Sequence, residues 1–348
     1  MLTSVHELFP MLPPQAIPSL TLVRQQLDST ARTNLEVYAT HGNGLSHSQA
    51  AALLQPLLPS WRAPPAAASE SNHSSLMADD ATHDRYFHVH RINGPAGSTF
   101  LRSALLAAFM YHTEMARASG ERSPEGDLIG NGFTTLLRYV CACEDSIPTA
   151  ASFQAPAVVP DRDPMRRWVQ GHQIFAALTQ GIIFALQEFE AAMRTGLAES
   201  SARQAITVAA EMLRASGAAF RFTANFSPKA YREIVRPSMM SERLGEGFSG
   251  LLSADHRHMV AQFARLRAMM PQIARQLEPE LHHLTAALNE VYENHKFVCA
   301  RFDGSRIPSL RCPNASPLPG VEQLERYQRA RLELLQIEGA AREVIIDR

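Results

Sequence analysis

A histidine and a cysteine lie four positions apart towards the end of the chain, at His295 and Cys299. They extend a stripe of apolar residues that recurs every three or four positions, as one face of an α-helix does. The other members of this stripe are Leu281, Leu284, Leu288, Val291 and Val298. The imidazole and the thiol are therefore expected one helical turn apart, on the face that points into the core.

The spacing of these two groups suits the binding of a haem. An imidazole can ligate iron through one ring nitrogen when a partner holds the other. A thiol one turn away, at about 5.4 Å along the helix axis, would lie near the porphyrin edge and within reach of a vinyl group. The alternative interpretation of His295 and Cys299 is a hydrogen-bonded core histidine beside an inert buried cysteine.

The composition excludes several classes of protein. The chain has 348 residues, of which 45% are hydrophobic and 19% charged, enough apolar material for a large core. A net charge of -1 without a basic stripe argues against nucleic acid and membrane surfaces as partners. No uncharged apolar run approaches the ~18–20 residues of a membrane span, and the N-terminus lacks the pattern of a secretion signal. We therefore expect a cytoplasmic protein.

The four cysteines do not form a recognisable disulfide framework, which fits a reducing compartment. They are Cys141, Cys143, Cys299 and Cys312. No CxxC pair occurs, so neither a zinc knuckle nor the usual CxxCH haem attachment is present. Cys141 and Cys143 are interpreted as structural residues at the end of a helix.

Apolar periodicity predicts an all-α fold, because helical patterns recur along the chain and strand signals are sparse. The predicted helices are residues 18–39, 46–58, 98–119, 164–195, 200–216, 228–236, 254–276, 278–303 and 321–346. Residues 59–82 are poor in core-forming side chains and rich in Pro, Ala and Ser, which indicates a linker. We therefore divide the chain into an N-terminal helical region with its linker, 1–82, and a main domain, 83–348.

A short aromatic and polar segment precedes the turn at Gly94 and Pro95. If this segment is extended, Tyr86, His88 and His90 alternate onto one side of it. They would then form a pocket wall that binds a phenol or an amino-acid head group, with His88 as the better catalytic candidate. Ordinary packing before the turn explains the same residues equally well.

Two runs, FRFTANFSP at 220–228 and YREIVRP at 231–237, resemble the haem-dependent aromatic oxygenase superfamily, which includes tryptophan 2,3-dioxygenase and indoleamine dioxygenase. A Gly/Ser-rich loop follows at 245–250, as it does in the pyrrolnitrin-pathway member of that group. The sequence HKFVC at 295–299 resembles the 3-methyl-L-tyrosine hydroxylases, or peroxygenases, of saframycin-type antibiotic pathways. This resemblance covers about residues 83 to 311.

The resemblance implies a helical bundle of the tryptophan/indoleamine dioxygenase type that encloses a haem. It implies that His295 is the axial iron ligand and that Cys299 holds a c-type haem through a single thioether. A distal histidine of that family falls on His256, with His258 as the adjacent alternative. A neutral imidazole can accept and donate a proton near neutral pH, although His256 also fits an exposed residue in the first turn of a helix.

We therefore expect an enzyme that converts 3-methyl-L-tyrosine to 3-hydroxy-5-methyl-L-tyrosine with hydrogen peroxide, in antibiotic biosynthesis. The chain shows no flavin or nicotinamide fingerprint. Arg85, Arg91 and Arg221 are candidates for the substrate carboxylate, because arginine forms bidentate pairs with carboxylates. An indole-cleaving or rearranging haem oxygenase and a non-catalytic helical scaffold are the alternatives. A homodimer is left open.

Overall fold

The computed structural model describes residues 8–27, 29–60, 78–117, 127–143, 163–196, 199–240, 253–273, 277–302 and 318–335. The first half of the chain forms helices α1 (Leu20–Gln25), α2 (Ser29–His41), α3 (His47–Leu54), α4 (Leu57–Ser60), α5 (Ala78–Tyr86), α6 (Ala96–Arg117) and α7 (Leu128–Cys141). The second half forms α8 (Pro164–Thr195), α9 (Glu199–Thr223), α10 (Pro228–Ala230), a π-helix (Tyr231–Val235), α11 (Arg236–Met239), α12 (Ala254–Ile273), α13 (Glu278–Arg301) and α14 (Gly320–Leu332). The predicted all-α class is confirmed.

Helices α8, α9 and α13 form the centre of the fold, with α9 packed between the other two. Glycines allow these helices to approach closely. A Cβ atom on Gly171 of α8 would lie 2.8 Å from the Cα atom of Thr223 on α9. A Cβ atom on Gly217 of α9 would lie 3.3 Å from the Cα atom of Val291 on α13. The helix that carries His295 is thus held directly against α9.

The N-terminal residues join the main body through a short parallel sheet. Strand β1 (Phe9–Met11) pairs with strand β2 (Val89–Arg91), with Phe9 opposite Val89. Apolar side chains from both sides of residue 82 belong to one hydrophobic cluster. The domain boundary at 82 stays a prediction, and residues 61–77 of the expected linker lie outside the described residues. Helix α5 begins within that linker, which the sequence did not predict.

Several helix ends follow from local chemistry. Helix α8 has the predicted bounds, because the Asp163 side chain accepts a hydrogen bond from the backbone N–H of Arg166 and Gly196 ends the helix with φ +62. Ser46, the first residue of the predicted helix 46–58, caps α3 and forms a capping box with Gln49. The single helix predicted for residues 18–39 is wrong, because the chain forms α1 and α2 there.

Helix α8 is long and apolar enough to cross a membrane by length and composition. However, 78% of its most apolar window is buried inside the protein. This burial is that of a central core helix, which agrees with its packing against α9.

Candidate functional site

The side chain of His295 lies against a flat aromatic ring from the neighbouring helix. Its imidazole stacks on Phe220 of α9, with ring centroids 4.2 Å apart and planes inclined by 14°. Burial lowers the pKa of His295 to about 4, so the ring is neutral at physiological pH. A neutral imidazole carries the lone pair that a metal ligand needs. The side chain is nevertheless partly accessible.

The thiol of Cys299 follows one turn further along α13 and is also partly accessible. Burial raises the pKa of Cys299 to about 11, so the group is a thiol rather than a thiolate at neutral pH. Iron ligation by sulfur requires the thiolate. These surroundings therefore favour His295 as the metal ligand and leave Cys299 as a neutral neighbour.

Ring contacts connect partly accessible aromatic side chains of neighbouring helices beside this pair. Phe220 also packs on Phe175 of α8 with ring centroids 4.8 Å apart, one turn beyond His172. The His172 ring packs on Trp168 at 4.4 Å, and Trp168 lies 6.1 Å from Tyr231. Burial is the main cause of the raised pKa of Tyr231, and Cys299 adds to it.

We call this connected set of partly accessible side chains the aromatic recess. These are Tyr86, Trp168, His172, Phe175, Phe220, Tyr231, His295 and Cys299. Their rings contact one another and each side chain is partly accessible, so together they present a flat, largely apolar surface beside His295. A flat, apolar group with one ligand position for an imidazole fits this lining. The donor set and the flat aromatic walls therefore fit a haem.

His172 is a recess residue that the sequence analysis missed. Its Nδ1 lies 2.7 Å from the backbone oxygen of Trp168, and a carbonyl oxygen only accepts, so Nδ1 carries the proton. Burial lowers the pKa of His172 to about 3, so Nε2 keeps an unprotonated lone pair. The ring is fixed between Trp168 and Phe87, whose centroid is 4.0 Å away. The sequence shows only a single histidine within a long apolar helix, and this pattern does not reveal that His172 belongs to the recess.

The segment before β2 is not extended, although the predicted alternation of Tyr86, His88 and His90 required an extended chain. Tyr86 is the last residue of α5, and its hydroxyl forms a 2.6 Å hydrogen bond with Ser238. His88 occupies a left-handed turn with φ 55, and its carbonyl accepts a hydrogen bond from the backbone N–H of Phe9. His90 lies half-buried in β2. The predicted common face of Tyr86, His88 and His90 is therefore wrong, although Tyr86 does line the recess.

The guanidinium of Arg91 is occupied by internal partners. It donates to both carboxylate oxygens of Asp84 at 2.7 and 2.8 Å, to Asp255 Oδ2 at 2.7 Å and to the Leu12 carbonyl at 2.9 Å. The side chain is buried. The prediction that Arg91 binds a substrate carboxylate is corrected accordingly, because these acceptors already engage its donor groups.

Arg221 lies beside the recess rather than within it. Its guanidinium lies 4.0 Å from the ring centre of Phe297 and donates to Asn294, the neighbour of His295. Burial lowers the pKa of Arg221. Its role in carboxylate binding stays a prediction.

The first turn of α12 carries His256 between two anchored residues. Asp255 accepts hydrogen bonds from Gln180 and Arg91, and Arg257 forms an ion pair with Asp80 of α5. These contacts place the start of α12 beside α5 and α8, the helices that contribute Tyr86 and His172 to the recess. His256 is partly accessible there, and its distal role stays a prediction.

The alternative residue, His258, is half-buried, and burial lowers its pKa. Its Nε2 is buried without a hydrogen-bond partner among the described residues. The glycine-rich loop at 245–250 and Cys312 lie outside the described residues.

The fold and the recess define an all-helical protein in which a neutral imidazole lies among flat aromatic side chains. The family model described as SfmD 3-methyl-L-tyrosine peroxygenase matches residues 10–284. The chain belongs to this family, and the match includes the N-terminal region that the resemblance did not cover. Family membership implies a haem cofactor. The match ends before His295, so the roles of the residues on α13 rest on the geometry above.

Two individual comparisons agree with the family. A 3-methyl-L-tyrosine peroxygenase of Streptomyces lavendulae is 28% identical over 267 residues, which are 75% of this chain and 72% of that protein. The crystal structure of reduced SfmD, soaked with sodium hydrosulfite, superposes with a TM-score of 0.66 at 23% identity. That comparison covers 84% of this chain and 98% of the other, and it establishes the common fold.

Proposed function

We propose that this chain is a haem-dependent peroxygenase that converts 3-methyl-L-tyrosine to 3-hydroxy-5-methyl-L-tyrosine with hydrogen peroxide in the cytoplasm, as a step of antibiotic biosynthesis. The observation that carries this proposal is the aromatic recess, in which a neutral imidazole and a neutral thiol lie one turn apart. His295 would ligate the iron, and Cys299 would form a single thioether to the porphyrin edge. The bound haem would supply the iron centre at which peroxide is activated.

The reaction transfers one peroxide oxygen to the ring and releases the other as water. A proton must therefore leave one peroxide oxygen and reach the other. We assign this proton transfer to His256, because a neutral imidazole near the recess can both accept and donate a proton. The unprotonated Nε2 of His172 is a second acceptor within the recess, fixed by the Trp168 carbonyl.

Substrate binding is assigned to the polar groups at the recess margin. Tyr86, bonded to Ser238, offers a hydroxyl that can contact the substrate phenol. Of the remaining arginine candidates, Arg85 and Arg221, we assign the carboxylate to Arg221, because its partly buried guanidinium lies beside the recess. His88 and His90 follow Tyr86 in the chain, and we keep His88 as a second catalytic candidate.

The covalent link gives the first test. After denaturing electrophoresis, haem stain should remain on the parent chain and disappear from Cys299→Ser. Cys143→Ser is the matched control, because Cys143 is a half-buried free cysteine just after the end of α7. His295→Ala should keep stain on the chain but lose the normal ferric spectrum. A colourless parent protein would instead favour the helical scaffold.

A product assay separates the two enzyme classes. Haem-loaded protein is incubated with 3-methyl-L-tyrosine, L-tyrosine or L-tryptophan, with either peroxide or dioxygen, and the products are identified by mass spectrometry. A catechol formed from 3-methyl-L-tyrosine with peroxide supports the proposal. Turnover of indoles alone would replace it with the indole oxygenase. His256→Ala should keep the haem and lose most of the hydroxylation.

A further inference from the structure

A second cluster of metal-ligating side chains lies where α3, α6 and the start of α7 meet. His47 is the first residue of α3, His112 lies near the end of α6, and Asp127 is the N-cap of α7. All three side chains are buried, and their donor atoms lie within 4.8 Å of one another. None of the three lines the aromatic recess.

The donor atoms have the spacing of ligands around one ion. His47 Nδ1 lies 2.9 Å from His112 Nδ1 and 4.0 Å from Asp127 Oδ2. With bonds of about 2.0–2.1 Å, two ligand atoms of a tetrahedral zinc site are about 3.3 Å apart. The separations of 2.9 and 4.0 Å lie on either side of that value. Small side-chain movements would therefore place an ion between the three donors.

Neighbouring groups hold the far side of two of these ligands. The Tyr38 hydroxyl lies 2.9 Å from His112 Nε2, so that Nδ1 of the same ring faces His47. Such a partner on the second ring nitrogen is the usual support of a metal-bound histidine, because it fixes the ring orientation and the tautomer.

The carboxylate is oriented in the same way. Asp127 Oδ1 accepts hydrogen bonds from the Tyr111 hydroxyl at 2.6 Å and from the backbone N–H of Gly130 at 2.9 Å. Oδ2 therefore faces His47, from which it is 4.0 Å away. A divalent cation at this point would be attracted by the charge of the buried carboxylate.

From this geometry we propose that His47, His112 and Asp127 bind a divalent transition-metal ion of the zinc class, with water as the fourth ligand. Two imidazoles and one carboxylate suit such an ion, whereas magnesium and calcium prefer an all-oxygen set. The ion is structural. It ties α3, from the N-terminal region, to α6 and α7, because its ligands come from all three helices.

The test measures metal content in the full-length, haem-loaded protein. Total metals are determined by plasma mass spectrometry, and haem iron, determined from the pyridine haemochrome, is subtracted. The parent should retain about one equivalent of non-haem metal per chain. His112→Gln and Asp127→Asn should lose it, whereas His41→Gln, at an exposed histidine of α2, should retain it.

Spectroscopy with cobalt provides the second arm. Parent protein stripped with a chelator and loaded with Co²⁺ should show the visible bands of a four-coordinate site, and Zn²⁺ should displace them. Tyr38→Phe keeps all three ligands and should bind Co²⁺ about 10–100-fold more weakly, because only the supporting hydrogen bond is lost. An unchanged haem spectrum in each variant confirms that the protein has folded.

The proposal is overturned if the parent contains no non-haem metal and gives no cobalt bands. It is equally overturned if His112→Gln, with an intact haem spectrum, retains the metal or the bands. In either case the cluster is a hydrogen-bonded histidine pair that shares a proton between its two Nδ1 atoms. This outcome leaves the haem assignment untouched, since none of the three residues belongs to the recess.

Discussion

Arg91 and Asp255 form a buried ion pair, with 2.7 Å between Arg91 Nη2 and Asp255 Oδ2, across a sequence separation of 164 residues. Arg91 ends β2 and Asp255 immediately precedes His256 at the start of α12. Burial opposes charge on the other carboxylate partner, Asp84, yet nearby His83 and the hydrogen bonds from Arg91 keep the pKa of Asp84 below its ordinary value. The network therefore fixes the first turn of α12 relative to the sheet.

Removal of the Arg91 guanidinium should mainly destabilise the fold. Arg91→Gln leaves two buried carboxylates without their cation, which we expect to cost about 3–5 kcal/mol in the free energy of unfolding. Urea unfolding at neutral pH measures this loss. Arg194→Gln is the matched control, because Arg194 is 69% exposed in its pair with Glu190 and should contribute at most about 1 kcal/mol. A raised KM at unchanged stability would instead restore the role of Arg91 in substrate binding.

The stability of the protein should depend on pH through His172. Burial lowers the pKa of His172 to about 3 from 6.5, so the unfolded chain binds a proton that the folded chain does not. This contribution to stability is fully present above about pH 6.5 and falls as the pH drops towards the folded pKa, by up to about 1.4 kcal/mol per pH unit.

Urea unfolding of parent and His172→Phe over this pH range tests the assignment. The variant should lose up to one proton from the pH slope, whereas His41→Phe, at an exposed site, should keep it. Identical slopes in the parent and His172→Phe would mean that His172 is already protonated in the folded protein, against the tautomer inferred from Trp168.

The helices of this fold could be predicted where burial is periodic. The stripe that ends at His295 and Cys299 recurs every three or four residues, and α13 covers it from Glu278 to Arg301. Helix α8 has strong local signals at both ends. Asp163 caps its start and the left-handed Gly196 ends it, so its bounds could be predicted as well.

The sequence could not reveal contacts between distant segments. Helix α5 has few apolar residues and is held by tertiary contacts such as the ion pair of Asp80 with Arg257, which has no local pattern. His172 and His112 are single histidines on apolar helices. Distant segments give them partners, Phe87 after α5 for His172 and His47 of α3 for His112. The guanidinium of Arg91 suits a substrate carboxylate by its chemistry alone, and its pairing with Asp255 is visible only in the folded structure.

The stacking of Phe220 on His295 should control the orientation of the axial imidazole. Phe220→Leu removes the flat surface that lies 4.2 Å from the imidazole and should make the ferric haem signal broader and more heterogeneous in electron paramagnetic resonance. Phe297→Leu is the control: it alters a 48% exposed ring on α13, the helix that carries His295, and should leave the signal unchanged. Unchanged spectra in Phe220→Leu would show that another group orients His295.

The close approach of α8 and α9 at Gly171 should tolerate no larger side chain. In Gly171→Ala the new methyl group would lie 2.8 Å from Thr223 Cα and 2.6 Å from Thr223 Cβ, so the two helices must separate. We expect a loss of about 1–3 kcal/mol in the free energy of unfolding, as for other overpacked interiors.

Because Gly171 precedes His172, the same separation should also displace the imidazole and change the haem spectrum. Gly44→Ala is the control, since a Cβ atom there meets nothing within 4 Å. Equal stability of Gly171→Ala and Gly44→Ala in urea would mean that α8 and α9 are not held together at this crossing, and the position of His172 in the recess would then need another support.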